Sequence, residues 1–522
     1  MVRKSAAFVG KMRIAVRSLS VLVMVAAWPA WALRFAPADL PLPEGRALIA
    51  VLDANGDEAA DLAVFPVSGA APVLLSPSQT GWRTSPLEAG GGEVLAVLAA
   101  DFNNDMRTDL AVSRRKGATV LFSDGKGGFS APLRLEGAEA VAANAASLSA
   151  GDVNGDGRLD IVESRHDGAR GAVRLWSSVP EADKGALAWR SSSPVADTPC
   201  CVPAKVLLAE LDGDGILDLL VARQGGDLEI HRGGGEARFE KRARDIAGHW
   251  THLDAGDVDN DGDLDLLLGG ADGGAALYLN EGGLRFRPAT AALPAATAPA
   301  VAPRFVDFDS DGRLDIAWSA GVVLLQDDAL RFRADPQAAA APADAGYTIA
   351  DVNGDGYPDL LYSNPGAAPR LLMQHTGPYH WLFVRLRGDA SRAVAGARIT
   401  AKTPDGRRTV RHLLLGDTVA SSHAEGVLLG ILRHTQVNTL EIHWLSGRYT
   451  RLDEPLVKRP IGFIEPPASD PRQVAFSNPL LEHFLSRKPS QRPQVCRRDF
   501  RPPSGDASTK RKKPAPAATP AP

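Results

Sequence analysis

The sequence predicts an all-β chain: a seven-bladed β-propeller followed by a small antiparallel β domain. Three observations predict it. An acidic segment typified by "GDVDNDGDLDLLL" (256–268) recurs seven times, strand-like apolar runs flank the copies, and after residue 376 apolar and polar residues alternate in short runs. At 522 residues and 44% hydrophobic content the chain is long enough for a large core.

The chain opens with residues 1–32, which read as an export signal. Arg3, Lys4, Lys11, Arg13 and Arg17 precede an apolar run from Leu19 to Trp31, and Ala30-Trp31-Ala32 offers small residues for cleavage. The run is shorter than the roughly 20 residues of a spanning helix, so the mature protein is expected outside the cytoplasm, periplasmic or secreted to the cell surface, with no transmembrane segment after cleavage. Cleavage would take five cations and no acid, moving the formal charge from −4 to about −9. An acidic body of this kind argues against a nucleic-acid partner.

Residues 33–376 carry the repeat. Its copies begin at Asp53, Asp101, Asp152, Glu210, Asp257, Asp307 and Asp351, spaced 44 to 58 residues apart. Apolar runs such as Ala47 to Leu52 precede the acidic segment, and runs such as Leu266 to Leu268 follow it, which reads as strand, turn, strand. A weaker pair follows in most copies, for instance "AALYLN" and "LRFRPA" joined by Gly282-Gly283. Four strands per repeat of about 50 residues is the size of a propeller blade, and radial closure leaves no long open edge.

Within each copy, oxygen-bearing side chains fall at relative positions 1, 3, 5 and 9, and position 7 can add its backbone carbonyl. The candidate ligands are Asp53, Asn55, Asp57 and Asp61; Asp101, Asn103, Asp105 and Asp109; Asp152, Asn154, Asp156, Arg158 and Asp160; Glu210, Asp212, Asp214, Ile216 and Asp218; Asp257, Asp259, Asp261, Asp263 and Asp265; Asp307, Asp309, Asp311, Arg313 and Asp315; and Asp351, Asn353, Asp355, Tyr357 and Asp359. Arg158, Ile216, Arg313 and Tyr357 enter through their carbonyls alone. Calcium takes six to eight oxygens, and alternate residues of a tight loop aim at one point, so calcium is the expected ion. Without a cation, clustered carboxylates repel or take up protons.

An EF-hand would need flanking helices and a glutamate at position 12, where the Asp257 copy has Leu268. Glycine at position 6 suits the left-handed bend in five copies (Gly157, Gly215, Gly262, Gly312, Gly356), whereas Glu58 and Met106 stand there in the first two. About five calcium sites are therefore expected, with up to seven if the first two loops also fill. Ordinary hairpin turns also use Asn-Gly and Asp-Gly, but turn chemistry alone does not call for acids at positions 1 and 9 seven times over. Extracellular sites bind with dissociation constants of about 10⁻⁴ to 10⁻³ M, and tenfold excess ligand adds about 1.4 kcal/mol per site, so five sites would rival a domain's whole net stability. A structural role for calcium follows.

Residues 377–466 alternate apolar and polar positions ("RITAKT", "TVRHLLL", "TLEIHWL", "RYTRL") and read as a small antiparallel β domain. Residues 467–522 form a basic tail rich in proline and alanine, expected to be largely disordered. Cys200, Cys201 and Cys496 are too few for a disulfide framework, and their spacing selects no pairing. Metalloprotease, nucleophile-elbow, Walker and dinucleotide motifs are absent from the sequence. His249, His252, His423 and His443 form no recognisable constellation. Trp176, Trp189, Trp250 and Trp318 suit a blade core more than a sugar platform.

The recurring acidic loops resemble the FG-GAP or VCBS repeats of integrin α-subunit propellers and many exported bacterial proteins. The following segment resembles the ASPIC/UnbV domain of cartilage acidic protein and its bacterial relatives. Its carriers are Trp381-Leu382, Gly396-Ala397-Arg398, Gly416 with Ser421, Gly430, and Trp444 with Ser446-Gly447; Leu445 replaces a usual proline and Ser422 a common glutamine. The resemblance implies calcium in the loops and binding more than chemistry. The expectation is an adhesion or interaction module for an extracytoplasmic protein or glycan, with no catalytic residue assigned. The rival reading is an enzyme on the same scaffold, such as a polysaccharide lyase or a quinone-dependent dehydrogenase.

Overall fold

The computed structural model describes residues 33, 35–38, 40–42, 45–78, 81–136, 143–180, 187–195, 201–241, 245–294, 302–318, 322–335, 346–363, 369–374, 377–388, 392–416, 422–423 and 426–466. The expected signal (1–32), the tail (467–522), Cys200 and Cys496 lie outside them. Among the described residues the architecture is nearly all β; one 3-10 turn, Thr290–Ala292, interrupts the strands. No described helix is long and apolar enough to cross a membrane.

Each acidic repeat builds one antiparallel four-stranded sheet, strands in sequence order from the ring centre outward. In the fifth, Trp250–Gly256, Asp265–Gly270, Ala275–Asn280 and Phe286–Pro288 lie side by side. Seven such sheets are described between Phe35 and Gln374, numbered here as blades in chain order. The last is completed by the chain's first strand: Phe35–Ala38 pairs with Arg370–Gln374, Phe35 opposite Gln374. This closure joins the two ends of the ring, and Thr348 Oγ1 of blade 7 donates to Ile49 O of blade 1 at 3.4 Å.

The apolar positions of adjacent blades interdigitate. Leu207, Leu220 and Ile230 of blade 4 pack with Leu253, Leu266 and Leu268 of blade 5, all buried. Trp176 and Trp318 are buried in such layers, and Trp250 packs against the edge of another. The tryptophans therefore serve packing, as their place in blade strands suggested.

Residues 381–464 form two four-stranded sheets packed face to face. One contains Trp381–Arg387, Ser422–His423, Gly426–Gly430 and Arg459–Ile464; the other Arg398–Lys402, Arg408–His412, Thr439–His443 and Tyr449–Asp453. Leu382, Val384 and Phe463 of the first meet Ile399, Leu440 and Ile442 of the second in one core. The pairing is antiparallel except where Arg459–Ile464 runs parallel to Trp381–Arg387. That last strand returns from the opposite sheet, so it arrives with its direction reversed relative to a hairpin partner. A short arm of this domain, Leu415–Gly416, pairs with the inner strand of blade 3 and makes that sheet five-stranded.

Candidate metal centres

Each acidic loop joins the inner strand of a blade to its second strand. Position 9 is the first residue of the second strand and faces the last residue of the inner one, as Asp265 faces Gly256 and Asp61 faces Leu52. In the fifth loop, Asp257 accepts from the Asp261 and Gly262 N–H groups at 2.9 and 2.8 Å, Asp259 accepts from Asp261 N–H at 3.2 Å, and Asp261 accepts from Asp263 N–H at 2.9 Å. The same register recurs in the third loop (Asp152, Asn154, Asp156) and the seventh (Asp351, Asn353, Asp355).

Position 9 has a second task that turn chemistry did not reveal. Asp265 Oδ2 accepts from Val258 N–H at 2.8 Å, and its Oδ1 from Asn280 N–H of the third strand at 2.8 Å. Asp109, Asp160, Asp218, Asp315 and Asp359 repeat both bonds. This carboxylate staples loop, second strand and third strand together.

The first two loops share the geometry despite lacking glycine at position 6. Glu58 (φ 71) and Met106 (φ 67) take the left-handed conformation there, and their N–H groups reach Asp53 and Asp101 at 2.9 and 2.7 Å. Asn55 with Asp57 and Asp61, and Asn103 with Asp105, occupy the same register. The fourth loop departs: the longer Glu210 side chain reaches the Asp212 and Gly213 N–H groups instead.

Three loops bring acids into one cluster: Glu210, Asp212 and Asp218; Asp257, Asp259 and Asp265; Asp307, Asp309 and Asp311. In each, one oxygen per residue lies within 4.8 Å of the others. An all-oxygen, multiply anionic donor set suits a hard cation such as calcium. The loops differ in how their charge is already balanced. Arg232 binds Asp212 and Asp214 at 2.5 and 2.6 Å in the fourth, while Arg313 pairs with Asp311 and Arg411 with Asp307 in the sixth. In the fifth loop, among the described residues, no lysine or arginine forms an ion pair. Burial and the neighbouring acids push Asp257 up to about 7 and Asp265 up to about 8. That loop is the best fit to a divalent ion: Asp257, Asp259, Asp261 and Asp265 would hold it, and the ion would balance carboxylates that Arg411 and Arg398 approach without forming an ion pair.

The loops are also the platform on which the second domain sits. Arg385 pairs with Glu58 at 3.6 Å, Ala393 N–H donates to Gly157 O at 2.5 Å, and Arg398 Nη1 donates to Gly262 O at 3.3 Å. Gly312 lies so near Thr409 that a β-carbon would come within 2.5 Å of its Oγ1, and one on Gly356 would come within 1.9 Å of Trp381. Position 6 thus bends the loop and admits the neighbouring domain. Gly430 N–H and Arg411 both reach Asp307 Oδ2, at 3.2 and 3.1 Å. A cavity of about 410 Å³ separates the fifth and sixth loops from the Thr403–Thr409 turn. Neither Arg385, Arg411 nor the position-6 contacts could be picked out from sequence, because alternation marks strands without saying which face another domain covers.

Comparison with known proteins agrees with this division. The family model described as FG-GAP-like repeat matches residues 101–163, 211–268 and 257–318, that for the FG-GAP repeat matches 348–376, and that for ASPIC and UnbV matches 388–470. No curated protein matches the chain. Similar solved structures include an Agrocybe aegerita lectin described as recognising non-reducing terminal N-acetylglucosamine (20% identity over 63% of this chain and 88% of that one, TM-score 0.43). Rhamnogalacturonan lyase YesW is another (12% identity, 65% and 75% coverage, TM-score 0.39), as is BBS1N in complex with ARL6DN (13%, 66% and 98%, 0.43).

Proposed function

We propose that this chain, which carries FG-GAP-like repeats and an ASPIC and UnbV domain, is an exported, calcium-stabilised seven-bladed propeller that acts as an interaction module for an extracytoplasmic protein or glycan. The observation that carries the calcium reading is the fifth loop, where two buried acids, Asp257 and Asp265, converge with the exposed Asp259 and, among the described residues, form no ion pair with a lysine or arginine. Its position supports a structural role. Loops that carry the cap on their position-6 contacts hold parts of one scaffold together, which is the work of a structural ion. Ligand contact then falls to surfaces away from the capped face.

Calorimetric titration of calcium into chelator-stripped mature protein tests the metal. Uptake of several equivalents is expected, with the fifth-loop site lost in Asp259→Ala; absence of heat and of bound calcium by elemental analysis would refute it. A screen of envelope glycans and proteins against the calcium-loaded chain tests the module, and saturable binding to a member of either class is the expected result.

A further inference from the structure

On the ring axis, residues from the inner strands of all seven blades enclose a cavity of about 620 Å³. This is within the roughly 300–1,000 Å³ range of small-ligand sites. At its end nearest the acidic loops, Leu414, Leu415 and Gly416 of the second domain line it, held by the pairing of Leu415–Gly416 with Ser149 and Ala150. The cap arm therefore floors the cavity and turns a channel into a cup.

The charges lining this cup are mostly opposite in sign to those of the protein as a whole. Arg46, Lys205 and Arg304 line it, against Glu93 as the sole lining acid among the described residues, and Glu93 lies 3.4 Å from Arg115. Asp254, buried beside Arg304 on the neighbouring inner strand, accepts from the Phe305 and Ala255 N–H groups and is also stabilised as a carboxylate by the Arg304 charge. Two of the cations converge on the start of one strand. Arg304 lies over the Tyr347 ring at 5.2 Å, and a β-carbon on Gly346 would be 3.7 Å from Arg46 Nε. Burial, and after it Lys205 and Arg304, push the His252 imidazole on the same wall down to about 3. Asn144, Gln224 and Thr251 also line the cup, where Asn144 Nδ2 donates to Asp167 O at 3.0 Å and Thr251 Oγ1 is bonded to His252 Nδ1 at 3.1 Å; much of the remaining wall is alanine, valine and leucine.

We propose that this cup binds the end of an acidic oligosaccharide, with a carboxylate or sulfate group held among Arg46, Lys205 and Arg304 and ring hydroxyls met by Asn144, Gln224 and Thr251. The inference rests on the reading of the chain as a binding module and narrows its ligand. Cations supply attraction to the anion, and the neutral amide and hydroxyl groups of the lining suit sugar hydroxyls.

Calorimetry on the full calcium-loaded protein, with a uronic-acid disaccharide, a sulfated disaccharide and a neutral disaccharide as probes, tests this. One or both acidic probes should bind and the neutral one should not, and the pair of acidic probes tells carboxylate from sulfate. Binding should fall about 10-fold or more in Lys205→Gln and in Arg46→Gln, the latter at an exposed rim position where folding is retained, and should weaken as salt screens the charges. Failure of both acidic probes, equal binding of the neutral one, or unchanged affinity in both variants would overturn the proposal. A neutral glycan or a protein that binds while the acidic probes fail would leave the module reading standing and refute this one alone.

Discussion

Asp259 and Asp265 sit six residues apart in one loop and do different work. Asp259 is exposed and accepts one loop N–H group, whereas Asp265 is buried and bonds two strands. Asp259→Ala should therefore remove one equivalent of calcium and leave the melting temperature in chelator nearly unchanged. Asp265→Ala should also destabilise the chelated protein, by about 1–3 kcal/mol, because two buried N–H groups lose their acceptor. Thermal unfolding of both variants with and without chelator distinguishes the roles; equal behaviour in chelator would contradict them.

The acids also set a pH dependence. Burial first, then neighbouring carboxylates, raises Asp109 and Asp265 to about 8 and Asp160, Asp218, Asp257 and Asp359 to about 7 in the metal-free fold. In the unfolded chain such groups titrate near about 3.9. Between those values the fold holds more protons than the unfolded chain, so metal-free stability falls as pH rises from about 4 to about 8. A melting-temperature series in chelator should slope downward across that window. Calcium should flatten or reverse the slope, since the ion replaces the protons. Parallel curves with and without calcium would contradict this.

At the scale of the element, the blades are tied to one another by side chains that reach the preceding loop. Gln374 Nε2 donates to Phe308 O at 2.6 Å, Gln326 Nε2 to Val258 O at 2.9 Å, and Asn280 Nδ2 to Leu211 O at 2.8 Å, all buried. Gln374→Leu keeps the volume but strands a buried carbonyl, and should cost about 1–3 kcal/mol in chemical denaturation; a change within error would contradict the role assigned to it. The acidic loops and their flanking strands were readable from sequence because their ligands and hydrogen bonds are local and repeat in register. The inter-blade bonds were not, since Gln374 and Phe308 stand 66 residues apart and a lone glutamine in a strand carries no local signal. The closing strand Phe35–Ala38 was hidden for the same reason: its four residues show little alternation, and they become a strand only against Arg370–Gln374.

For the whole molecule, the loops whose acids cluster overlap with the loops that carry the second domain, the fifth and sixth doing both. The recurring acidic pattern is visible in the sequence, but the docking that uses position 6 involves faces whose partner lies far along the chain. Metal removal should therefore loosen the cap as well as the blades. Hydrogen exchange with and without chelator should show lost protection at residues 408–412 and 426–430, which cover the sixth loop. Gly356→Ala should produce a related loosening even with calcium present, because its β-carbon has no room beside Trp381. Unchanged protection in both experiments would separate the cap from the metal centres.

Thermal unfolding of the mature protein in saturating calcium and after chelation at neutral pH is the most direct test. Loops that depend on a divalent ion predict a large fall in melting temperature on chelation, restored by calcium. Equal melting temperatures, with no calcium found in the folded protein, would show that the acidic loops stand on their hydrogen bonds and arginines alone.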